Sequence, residues 1–134
     1  MISSDFIVND YYELLTLHRV FIEAKFCDGP NDLDVSASPM VATLHKKLLF
    51  NLIAMDVEKK GESARSDWNE WLDIDPSRRE WAVAIERAEN ERLWDDWSVT
   101  DRKTYILDLL SPFNVTEELV EVFVNQVKQI TGTD

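Results

Sequence analysis

At 134 residues the chain has the length of one average domain, with room for a real hydrophobic core. Apolar residues make up 45 %, with only three glycines and four prolines, which excludes disordered, collagen-like and low-complexity classes. The formal charge of −12, from 26 acidic and 14 basic side chains, repels phosphate backbones and anionic lipids and attracts basic protein surfaces, so direct nucleic-acid binding and membrane attachment are disfavoured.

The charge is uneven. Residues 1–60 carry nine acids and six bases, whereas residues 61–134 carry seventeen acids and eight bases. All five tryptophans lie in the acidic part. Cys27 is the only cysteine, so an intrachain disulfide or a thiolate metal cluster is excluded, and a small buried residue at a helix end is expected there. The start, MISSDFIVNDYY, lacks a signal-peptide pattern, and no stretch reaches the roughly 18 apolar residues of a membrane span. A soluble cytoplasmic protein is the expectation.

From Asn9 to Cys27, Tyr11, Leu14, Leu15, His18, Phe21, Ile22 and Phe26 recur at helical spacing. The segment CDGPNDLD then breaks the helix, and a loop is expected over Asp28 to Ala37. Next, SPMVATLHKKLLFNLIAMDVEKKG carries every mark of one long helix. Ser38 stands as cap, Pro39 in the first position, Lys59 and Lys60 in the last turn and Gly61 just beyond. This should be the central helix.

A short helix capped by Ser63 is expected from Ala64 to Leu72, placing Trp68 and Trp71 on one face. In DIDPSRRE, Asp75 reads as a cap and Pro76 as the first helical residue of a segment running to Leu93 or Trp94. Thr100 reads as the cap of a helix that carries Tyr105, Ile106, Leu109 and Leu110 and ends before Pro112. Asn114 with Glu117 matches a capping box that opens the last helix, with Leu119, Phe123, Val127 and Ile130 on one face. The reading is an all-α compact single domain over 1–134, with five or six helices in orthogonal or bundle-like packing and short flexible ends at 1–5 and 131–134.

Catalytic signatures are weak. His18 and His45 sit in separate helices without metal-ligand spacing, so each reads as a core-edge or solvated histidine, and His45 with Lys46 and Lys47 suggests a small basic patch. Carboxylates recur three residues apart at Asp10/Glu13, Asp67/Glu70, Glu86/Glu89 and Glu118/Glu121. Two such pairs brought together could hold Mg²⁺, the device of all-helical nucleotide pyrophosphohydrolases, and a carboxylate-bound Mg-dependent nucleotide hydrolase is the alternative on that ground. In so acidic a chain, solvated helix faces explain them more simply. The Asp28 to Asp34 loop lacks the glycine and the closing acid of an EF-hand. No catalytic residue, cofactor or metal site is assigned.

The tryptophans remain. Trp is seldom fully buried in a small domain and is enriched at interface hot spots. Trp97, flanked by Asp95 and Asp96, and Trp71, flanked by Glu70 and close to Asp73, are the candidate partner-binding residues. The expectation is an acidic protein-binding domain, such as an inhibitor, an immunity protein or an adaptor, that masks a basic surface of a partner protein. A nucleic-acid mimic that blocks a nuclease would use the same surface. A structural or self-assembling protein is a further alternative, and an amphipathic helix paired with its own copy would give a homodimer.

Overall fold

Asp10 starts the first helix by accepting hydrogen bonds from the Tyr12 and Glu13 amides at 3.1 and 3.3 Å, which gives two orphan donors of the first turn a partner. The computed structural model describes residues 5–27 and 32–131, and among these it holds seven α-helices, one 3₁₀ turn and no strand. They are α1 (Tyr11–Phe26), α2 (Leu33–Ser36), α3 (Pro39–Lys60), α4 (Ser63–Leu72), α5 (Arg79–Glu89), α6 (Val99–Leu110) and α7 (Glu117–Thr131), with the 3₁₀ turn at Trp94–Asp96. None of them is long and apolar enough to cross a membrane. The flexible ends expected at 1–5 and 131–134 lie outside the described residues, Asp5 and Thr131 apart.

The long central helix matches its sequence marks at both ends. Ser38 Oγ accepts from the Val41 amide at 3.1 Å, Pro39 occupies the first position, and Gly61 ends the helix at φ 91°, a region that L side chains seldom enter. Both α1 and α4 pack against α3.

Several local expectations are corrected. The Asp28 to Ala37 loop contains α2, capped by Asp32 accepting from the Asp34 amide, which makes seven helices rather than five or six. Asp75 caps no helix: its Oδ1 accepts from the Ser77 amide at 2.8 Å and from the Ser77 hydroxyl, forming a local turn, and α5 begins three residues beyond Pro76 at Arg79. That helix ends at Glu89, with Asn90 folded back on the Glu86 carbonyl, so Trp94 belongs to a separate turn. Ser98, not Thr100, caps α6 by accepting from the Asp101 amide at 3.1 Å. Thr116, not Asn114, serves α7 through the Leu119 amide. Ser63 is the first residue of α4, whose cap position is Glu62.

Two apolar clusters form the core. One joins Phe26 and Ile74 to Trp81, Ile85 and Ala88 of α5, Ile106 and Leu109 of α6, and Phe123 and Val127 of α7. The other joins Leu14 of α1 to Leu48, Leu49 and Leu52 of α3 and Leu72 of α4. Trp71 packs against both. Alanines at 84 and 88, both buried, let α5 approach its neighbours closely.

Charged groups fasten the end of α1. Lys25 is fully buried, and its Nζ donates to the Asp108 carbonyl at 2.8 Å and the Ser111 carbonyl at 2.5 Å, capping the C-terminal end of α6. Burial pulls this ammonium down to about 7, against the attraction of Asp108. In turn Arg79 donates to the Phe26 carbonyl at 2.6 Å, and Arg87 to the carbonyls of Lys25 and Cys27. Cys27, half-buried, is the C-cap of α1.

Candidate functional site

On α1, Leu15, His18 and Ile22 follow one another at helical spacing, with Arg19 and Glu23 beside them. On α4, Asp67, Trp68 and Trp71 do the same. Both helices rest on α3, and these eight residues line an open cleft of about 540 Å³ between them.

Three rings form its aromatic lining. Trp68 and Trp71 meet edge to face, with centroids 5.8 Å apart and planes at 84°. The His18 ring lies 5.4 Å from Trp68 and 5.2 Å from Trp71, also edge to face. Trp68 is fixed from behind, because its indole N–H donates to Asp56 Oδ2 of α3 at 2.7 Å. Burial alone would raise the Asp56 carboxyl; the Trp68 indole and the Tyr11 hydroxyl, with Lys60 and Lys59 beyond, outweigh it and hold the group below its ordinary range. Arg78 sits 5.0 Å from the Trp71 ring and 4.5 Å from that of Phe113, and its guanidinium donates to the Trp71 carbonyl.

Behind the cleft the two histidines meet. His18 Nδ1 and His45 Nε2 are 2.9 Å apart in a buried hydrogen bond, so neither histidine is solvated and His45 is turned away from Lys46 and Lys47. The basic patch expected of these three residues is therefore not formed. Burial, and then Arg19, push His18 down to about 4; burial, then His18 and Lys25, push His45 down to about 3. Both rings are neutral at neutral pH, which lets one donate to the other's lone pair.

The sequence-assigned residues fall into two groups. Glu70, Trp71 and Asp73 end α4: Glu70 and Asp73 are exposed, Trp71 is half-buried, and Asp73 Oδ1 accepts from Asn114 Nδ2 at 3.3 Å. Asp95 and Asp96 are exposed in the 3₁₀ turn, while Trp97 is half-buried, its ring 4.9 Å from that of Tyr105. Trp71 has His18, Trp68 and Phe113 as ring neighbours, so the two groups pack in different surroundings. Trp81 and Trp94 are core residues. Of the cleft residues, the sequence singled out Trp71 for binding and missed His18, Arg19, Glu23 and Asp67. The stripe on α1 and the Asp67 to Trp71 spacing were visible, but nothing local says that two helices separated by α3 face each other.

Among the described residues, no three His, Cys, Asp or Glu side chains come together as metal ligands would. Glu86 is exposed, and Glu89 is raised by burial and then by Glu86. Fold and site thus define an all-α protein with a tryptophan-walled cleft rimmed by acids. No protein-family model matches the chain, and no curated protein or solved structure does either.

Proposed function

We propose that the chain is a cytoplasmic protein-binding domain of the inhibitor, immunity-protein or adaptor kind, which masks a basic surface of a partner protein. The observation that carries this reading is the cleft between α1 and α4. Two half-buried tryptophans stand beside exposed carboxylates, Glu23 and Asp67 in the cleft and Glu70 and Asp73 next to it. Aromatic anchors within a charged rim are the usual anatomy of a tight interface, where the rim sets the rate of encounter and the anchors slow release. Catalysis plays no part in such a role. The corner formed by Asp95, Asp96 and Trp97 offers a second acidic surface with an aromatic residue, and the same experiment weighs it.

The test is affinity capture from native lysate at low and high salt with three proteins: wild type, Glu23→Arg with Asp67→Arg, and Asp95→Arg with Asp96→Arg. All four acids are exposed, so the fold should survive reversal. A basic partner held at low salt and lost with the first pair supports the cleft. Loss with the second pair alone moves the site to Trp97, and capture unaffected by either pair removes both surfaces.

A further inference from the structure

We infer that the cleft receives one cationic side chain of the partner, an arginine, whose guanidinium lies against the tryptophan rings, parallel to one and edge-on to the other, between the carboxylates of Glu23 and Asp67. The inference rests on the docking role proposed above and specifies its anchor. Charge comes first. Two carboxylates and one guanidinium, that of Arg19, line the cleft, leaving one net negative charge, and among the described residues none of the three has an ion-pair partner within the protein. One incoming cation balances it.

The walls suit the same occupant. Trp68 and Trp71 stand at 84° to one another with His18 against both, and π faces attract cations most strongly where water is partly excluded. Burial keeps His18 uncharged at neutral pH, so the lining opposes a cation only through Arg19. Leu15 and Ile22 supply an apolar flank for the methylene stem of a long basic side chain. The protein already uses this contact internally, since Arg78 lies over Trp71 at 5.0 Å. A planar guanidinium, more weakly hydrated than an ammonium, is the cation that stacks on indole and reaches two carboxylates at once.

Two blocked tripeptides test it with the full chain: acetyl-Ala-Arg-Ala-amide and its citrulline counterpart, which keeps the shape and loses the charge. The readout is the set of tryptophan indole signals in NMR spectra at low salt, with fully buried Trp81 as internal control. The arginine peptide should shift Trp68 and Trp71 saturably and leave Trp81 unmoved, and Glu23→Gln with Asp67→Asn should weaken it about three- to tenfold. Equal binding of the citrulline peptide overturns the inference while leaving the cleft as an apolar dock. Signals of Trp68 and Trp71 that stay fixed with both peptides overturn it as well. Whether the cleft docks a partner at all is read separately, by the capture experiment.

Discussion

Asp56 shows how one buried carboxylate fixes a wall of the cleft. It accepts the Trp68 indole N–H at 2.7 Å, so Asp56→Ala leaves a donor without its partner and frees the ring to turn. Unfolding in urea should show a loss of about 1–3 kcal/mol. The His18–His45 pair responds to pH. Both folded-state values, about 4 for His18 and about 3 for His45, lie below the ordinary 6.5, so the unfolded chain takes up protons first as the solution is acidified. The contribution of the pair is therefore complete above pH 6.5 and is lost as pH falls toward 4 and then 3. Urea midpoints measured between pH 7 and 4 should fall, and the fall should be smaller in His45→Phe, which removes one of the two titrating groups. None of this was legible in the sequence, where His18 and His45 lie in different helices with no spacing that ties them. Their contact depends on how α1 crosses α3.

Elements with strong local signals formed where the sequence placed them. In α3 the cap, the first-position proline, the terminal lysines and the glycine all act within a turn of their own position, so the helix bounds were readable. Ser38→Ala should cost about 1 kcal/mol in thermal or urea unfolding by leaving the Val41 amide without its acceptor. Gly61→Ala should cost about 1–3 kcal/mol, since its φ of 91° with ψ of 178° is a region essentially reserved for glycine. No atom lies within 4 Å of the added Cβ, so the cost is that of holding φ at 91° alone. Elements failed where signals competed. Asp75 could cap a helix or close a turn on Ser77, and the turn won, which moved the start of α5 to Arg79. Lys25 is the clearest case of tertiary override, since in sequence it is one more basic residue near a helix end, yet it is fully buried against α6.

Two apolar clusters meet at Trp71, and the cleft opens at that junction. The net charge of −12 gives the whole chain a field that attracts cationic groups and weakens with salt. All-α architecture and the acidic, tryptophan-rich character were legible from composition and periodicity. Which tryptophans reach the surface was not, because that depends on which helices become neighbours: Trp81 and Trp94 are enclosed by α5, α6 and α7, and Trp68, Trp71 and Trp97 are not. Hydroxyl-radical footprinting of the tryptophans, in the free protein and in its complex with the captured partner, reads whether the cleft is the docking face. Trp68 and Trp71 should lose reactivity on binding, while Trp81 and Trp94 stay unreactive throughout and Trp97 is unchanged. Protection of Trp97 with Trp68 and Trp71 still reactive would contradict the cleft as the docking site.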